Sequence, residues 1–215
     1  MPVIKKEGPE SVYIPRLIIL RGSPGVGKST ISKSINKINS ATKKTYISVD
    51  AMQHLDLRNP SKNKEKLGIK NAAILATSFL EEGFDVVMDY VFDEPKDIEN
   101  VVNIIRSGMD KAKFNFFMQI FYLDAPLDKV IKRNQSRSGK RGEYMNTALL
   151  KKLHAKVDST KGSITSEVII DTSPLSAKQT ARTIISSAIG KMNGVEQVDV
   201  SLTEDDMNRA LDLDD

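Results

Sequence analysis

The chain has 215 residues, no cysteine and only two histidines, His54 and His154, which suffices for one well-buried α/β domain and is short for two. Disulfides and thiolate metal sites are excluded, and two histidines are too few for a usual zinc centre. The net charge of +4 is uneven: residues 204–215 carry six acids against Arg209, a local −5, so the remainder carries +9, a balance that suits a phosphorylated ligand or nucleic acid.

Residues 1–14 read as an N-terminal arm, with two prolines, the run "KKEGPE" and no sustained period. The arm has charges where a signal peptide needs an apolar core. No apolar run in the chain reaches the roughly 18–20 residues that span a bilayer. An intracellular, cytoplasmic protein without membrane contact is therefore expected.

From residue 15 to 191 short β-rich runs alternate with longer helical patterns. Strands are expected at Arg16–Arg21, Thr45–Val49, Asp85–Asp89, Phe116–Leu123 and Glu167–Ile170. Helices are expected near 28–39, 66–82, 95–109, 126–137, 146–158 and 176–191. In "NAAILATSFLEEG", Ala72, Leu75, Ala76, Phe79 and Leu80 recur at helical spacing and Gly83 supplies the stop. Pro95 and Pro126 stand where the first turn of a helix tolerates proline. The alternation predicts an α/β fold, a mostly parallel sheet with helices on both faces. A basic, aperiodic stretch, "RSGKRGEYMN", interrupts it, so residues 133–146 read as a small lid. Beyond residue 192 the chain turns acidic, and Thr203 before "EDDMNRAL" predicts a short capped helix in the tail. That tail is a possible docking element for a protein partner.

The chemistry starts at Gly22-Ser23-Pro24-Gly25-Val26-Gly27-Lys28-Ser29, which fits G-x-x-x-x-G-K-[ST] between a strand and a helix. Glycines let backbone amides turn inward on phosphate oxygens, and the start of the helix adds partial positive charge. Lys28 is placed to reach the transferred phosphoryl group, Ser29 to ligate magnesium, and Thr30 to complete the nucleotide contacts. A triphosphate can be held here.

Three further features decide what happens to it. No N/T-K-x-D motif occurs, which argues against a switch GTPase. A motor ATPase would carry paired acids after its third strand, whereas "VVMD" ends on Asp89 alone. Asp89 falls at the carboxyl edge of the sheet, where ligands sit, as a magnesium ligand through water, an acceptor contact or a turn cap. Asp50, after "TYISV", stands at the same edge as a general base for an acceptor hydroxyl, or as a helix cap. Arg133 and Arg137 share a helical face and can close on a triphosphate from the lid, as can Lys140 and Arg141; a solvated basic face is the alternative. Arg58 is a candidate acceptor contact. Asp171 and Thr172, in "IIDTS", can border the adenine. Tyr46, Tyr90 and Phe92 stack on a substrate or pack in the core, and both histidines read as surface or helix residues.

These residues resemble the small P-loop kinases, most closely the group of polynucleotide kinase, zeta toxin and chloramphenicol phosphotransferase. The resemblance runs from about Leu17 to Ile189 and rests on the phosphate loop, "SVDAM", "VVMDYVFDEP", "IFYLDAPLDKVIKRNQSR" and "VIIDTS". It implies a P-loop NTPase three-layer fold with a five-stranded parallel sheet in 2-3-1-4-5 order. It also implies a general base at Asp50 and phosphate-contacting arginines at Arg133 and Arg137. The expected activity is a magnesium- and ATP-dependent kinase acting on a hydroxyl, with a small-molecule acceptor favoured. A polynucleotide 5′-hydroxyl kinase is the alternative, and a slowly hydrolysing, nucleotide-gated binding protein stands for a different class. The loop's Pro24-Gly25-Val26 departs from the antibiotic kinase, and the arginine that often follows a polynucleotide kinase's base is delayed here to Arg58.

Overall fold

A computed structural model describes residues 14–38, 42–53, 62–109, 115–136 and 145–190. Its five strands are β1 (Arg16–Arg21), β2 (Lys44–Ser48), β3 (Asp85–Asp89), β4 (Phe117–Asp124) and β5 (Val168–Asp171). All pair in parallel, in the order β2-β3-β1-β4-β5. That is the expected 2-3-1-4-5 sheet. The helices are α1 (Lys28–Asn36), α2 (Val49–Gln53), α3 (Lys62–Glu81), α4 (Pro95–Gly108), α5 (Leu127–Gln135), α6 (Thr147–Asp158) and α7 (Ala177–Gly190).

Two hydrophobic clusters form because successive strand side chains point to opposite faces of the sheet. Leu17 and Ile19 of β1 join Val86, Met88, Met118 and Ile120 under α3 and α4. Ile18 and Leu20 join Val87, Phe121 and Leu123 on the other face, where α1, α5, α6 and α7 contribute Ile31, Val130, Leu150 and Ile184. With both faces covered, β1 and β3 are buried along their whole lengths, as parallel strands are. The charged residues that open these strands pair with each other. Arg16 binds Asp85 through its guanidinium, and its backbone amide also donates to that carboxylate at 3.0 Å.

Several boundaries moved. β2 ends at Ser48, and α2 starts at once with Val49, so Asp50 lies in a helical first turn and not at a strand end. α3 begins a turn earlier than its pattern suggested. Ala72, Ala76 and Leu80 are buried as expected, whereas Leu75 is 38% exposed beside Ile74. The helix stops at Gly83, whose φ of +76° suits glycine; the Phe84 amide bonds the Phe79 carbonyl at 2.9 Å. Pro95 opens α4, while Pro126 is the residue before α5. No helix among the described residues is long and apolar enough to cross a membrane.

Arg58, His54, Arg137, Lys140 and Arg141, most of the expected lid, the arm through residue 13 and the acidic tail lie outside the described residues.

Candidate functional site

The turn from β1 into α1 is shaped by a close approach. A Cβ on Gly22 would lie 2.4 Å from the Leu123 carbonyl oxygen of neighbouring β4, and its φ is +139°. Only glycine fits both constraints. Gly27, at φ +109°, precedes α1 with no side-chain cap, and no acid stands in the first turn. The helix therefore offers its opening amides and the positive end of its dipole to an anion. Lys28 bends back over the loop, and its Nζ donates to the carbonyls of Gly22 at 2.8 Å and Ser23 at 3.1 Å.

The Ser29 hydroxyl donates to Asp89 Oδ2 at 2.8 Å. Asp89 is 2% exposed, and its other oxygen, Oδ1, is buried without a hydrogen bond. Burial pushes this carboxyl above its ordinary 3.8, against the opposing pull of Lys28 and the Ser29 bond. A hydroxyl and a buried carboxylate with a free oxygen form the hard oxygen set that magnesium takes, so Ser29 and Asp89 fit that ion. Tyr46 faces the same carboxylate. Its hydroxyl is pushed up to about 12, by burial first and then by the charge of Asp89.

A cleft of about 540 Å³ opens from Lys28 and Ser29 toward Asp50, Glu65, Tyr90 and Asp93. Asp50 is exposed at its wall. Tyr90 donates to Glu65 Oε1 at 2.7 Å, which fixes that carboxylate. Glu65, Asp93 and Asp97 bring carboxylate oxygens within 4.8 Å of one another. Burial, then the charges of Glu94, Glu65 and Asp93, raises the Asp97 carboxyl above 3.8. Lys156 partly balances the group through Asp93, at 2.5 Å. Phe92, with φ +44°, is fully buried and packs edge-on against Tyr90, so it belongs to the core.

A second cleft, about 250 Å³, lies on the other side of the loop. Val26, Arg133, Ser136, Thr172, Leu175 and Thr180 are among its lining residues. Arg133 is not aimed at the phosphate cleft. Its Nη1 donates to the Val26 carbonyl at 3.0 Å and Thr172 Oγ1 at 3.1 Å, and its Nη2 to the Thr172 carbonyl at 2.8 Å. It thereby clasps the phosphate loop to the turn after β5. Asp171 turns away, accepting from the Ser173 amide at 2.8 Å, and lines neither cleft.

Of the expected residues, the structure brings Lys28, Ser29, Asp50 and Asp89 together on the phosphate side and puts Arg133 and Thr172 on the other. Pattern reading missed Glu65, Asp93 and Asn134; His154, read as a surface or helix residue, does lie on α6, with its Nδ1 2.9 Å from Ser23 Oγ. Glu65 lies in "KNKEKL", where its charge is one of several on a helix; Asp93 lies within the "VVMDYVFDEP" stretch, which offered the only available signal. Asn134 holds Met145 by two bonds: its Nδ2 donates to the carbonyl at 2.7 Å and its Oδ1 accepts from the amide at 3.0 Å.

Solved structures share this architecture at low identity. A chain of a Pnkp1/Rnl/Hen1 RNA repair complex aligns at TM-score 0.57 and 18% identity, over 74% of this chain and 49% of that one, so this chain spans about half of its length. A gluconokinase from Sinorhizobium meliloti 1021 aligns at 0.57 and 14%, over 85% and 98%. Kti12 from Chaetomium thermophilum, in complex with ADP-AlF3, aligns at 0.59 and 14%, over 81% and 97%. The family model described as an AAA domain matches residues 17–160. The chain belongs to that AAA domain family, and its fold is that of the P-loop kinase group.

Proposed function

We propose that this protein is an ATP-dependent kinase that transfers the γ-phosphoryl group to the hydroxyl of a small molecule. The observation that carries the reading is the shared cleft: Lys28 and Ser29 open onto the same space as Asp50. A hydroxyl placed there can give its proton to Asp50 while its oxygen attacks the γ-phosphorus. The bond to the β-γ bridging oxygen breaks, and ADP leaves with that electron pair. Lys28 and the loop amides offset the charge on the phosphate oxygens. Ser29 and Asp89 would hold magnesium, which neutralises phosphate charge when bound. Thr172, Leu175 and the Arg133 clasp border the space for the base.

The acceptor half of the cleft favours a neutral or amine-bearing compound. Asp50, Glu65 and Asp93 line it, and among the described lining residues the cations Lys28 and Lys33 belong to the phosphate-binding helix. A phosphodiester next to the reacting hydroxyl would meet those carboxylates at a cost. The polynucleotide 5′-hydroxyl reading draws on the basic body of the chain instead. A screen with γ-labelled ATP against amino alcohols, sugars, nucleosides and 5′-hydroxyl oligonucleotides separates the two. Transfer to small acceptors that Asp50→Asn abolishes, with ATP affinity kept, supports the proposal. Transfer to oligonucleotides with a steep salt dependence supports the other. Label released only as inorganic phosphate, with partner capture that needs ATP and the acidic tail, points to a nucleotide-gated binding protein. The proposal also expects a cytoplasmic enzyme, where ATP and magnesium are abundant.

A further inference from the structure

Helix α6 is strapped to the phosphate loop at two points that bracket Gly22. Arg21, the residue before it, is fully buried; its Nη2 donates to the Thr160 carbonyl at 2.6 Å and to Thr160 Oγ1 at 3.2 Å, just past the end of α6. Ser23, the residue after it, is 1% exposed, and its Oγ lies 2.9 Å from His154 Nδ1 on α6. Its other contact, to the Pro24 carbonyl at 3.5 Å, is at the outer limit for a hydrogen bond. The Gly22 and Ser23 carbonyls between these anchors are the ones that receive Lys28 Nζ. A continuous chain of contacts therefore runs from α6 through His154 and Ser23 to the phosphate-binding ammonium.

α6 does not need this contact to stay in place. Leu150 is buried in the hydrophobic cluster, Val157 is buried, and the Asn146 side chain caps the helix by accepting from the Ala148 amide at 2.8 Å. The Asn134–Met145 pair joins the end of α5 to the start of α6. With the helix already fixed, the imidazole acts on the loop, where Gly25 and Gly27, both at positive φ, have no side chain to hold them.

We propose that His154 is a positioning residue for nucleotide binding: through Ser23 it sets the first turn of the phosphate loop, and with it the two carbonyls on which Lys28 rests. The proposal takes nucleotide binding at this loop from the reading above, but it does not require an acceptor or transfer. A leucine at 154 keeps bulk and removes the bond. An asparagine places its Nδ2 or Oδ1 close to the position of Nδ1 and can restore the bond. Removing the hydroxyl of Ser23 breaks the same link from the other end.

The test measures Mg·ADP and Mg·ATP dissociation constants and the apo Tm for the wild type, His154→Leu, His154→Asn, Ser23→Ala and the Leu/Ala double variant. His154→Leu and Ser23→Ala are each expected to weaken both nucleotides about five- to tenfold, the size of one buried hydrogen bond. The double variant should be no weaker than the worse single, because both remove one contact. His154→Asn should return affinity to within about twofold of wild type, and Tm should fall by no more than the roughly 2–4 °C that one buried hydrogen bond is worth in a chain this long. Unchanged affinity in His154→Leu, multiplicative losses in the double variant, failure of His154→Asn to rescue, or losses that track Tm each overturn the proposal. A wild type that binds neither nucleotide overturns the kinase reading along with it. A wild type that binds both but phosphorylates nothing overturns the kinase reading alone.

Discussion

Replacing Asp89 with asparagine should push stability and ligand binding in opposite directions. In the folded protein the carboxylate is 2% exposed, accepts from Ser29 at 2.8 Å and from Tyr46, and leaves Oδ1 without a partner. Burial is the first cause of its raised value, so the ionised form is worse off folded than unfolded. The linkage sign follows from proton counts. Below 3.8 the group is protonated in both states and costs nothing. Between 3.8 and the higher folded value, the native state binds the extra proton and stability falls as pH rises. Above the folded value the full destabilisation is present. Asp89→Asn removes that charge and can keep the Ser29 bond through its carbonyl. A gain of about 1 kcal/mol, the scale of an ordinary single substitution, raises the apo Tm of a chain this long by about 2–4 °C. The same change removes a proposed magnesium ligand, so magnesium with ATP should raise Tm less in the variant than in the wild type. The assay is differential scanning fluorimetry from pH 4 to 8, with and without Mg·ATP. A variant less stable than the wild type at pH 7, or equally stabilised by Mg·ATP, would refute the reasoning.

Asp50→Asn should reduce phosphoryl transfer by about 10²–10⁴, the usual worth of a general base, and leave the ATP dissociation constant within about twofold; equal loss of both removes Asp50 as the base. Gly22→Ala forces a Cβ to 2.4 Å from the Leu123 carbonyl at φ +139°, so a loss above about 2 kcal/mol is expected in urea titration, and a wild-type midpoint would show that the turn yields cheaply. Arg133→Met removes the three bonds to Val26 and Thr172. Nucleotide affinity should fall about tenfold, the worth of one charge-assisted bond after relaxation, with discrimination between ATP and GTP relaxed; binding data in which only the transfer rate changes would return Arg133 to the phosphates.

The parts of this fold that were legible in the sequence are those set by near neighbours. β1 needed only the run "RLIILR", and it came out at the expected residues. The phosphate loop is a local pattern, and Gly83 is a local stop. Strand order is a long-range property; no periodicity contains it, and it came through the family resemblance. The early end of β2 was hidden because "TYISVD" keeps β-branched residues through Val49, whereas Val49 opens α2 and packs into the core beside α3. Leu75 fitted the helical pattern of α3 and is nevertheless on its outer face, since Ile69, Ala72, Ala73 and Ala76 already fill the inner one. His154 meets Ser23 across 131 residues of chain, and a histidine on a helix with no local partner carries no sign of that contact. The direction of Arg133 was illegible for the same reason: helical spacing gives its face, while Thr172, 39 residues later, decides what it touches.

The phosphate loop is a partition. Among the described residues that line the two clefts, only Gly25, Gly27 and Thr30 border both. A nucleotide crossing it would have its base judged by one set of side chains and its terminal phosphate delivered into a chamber built from another. On the proposed reading, substitutions among Asp50, Glu65 and Asp93 change the acceptor side without altering a residue that lines the other cleft, so the two can drift at separate rates. If the proposed kinase reading holds, a scaffold divided this way can exchange its acceptor many times without relearning its fuel.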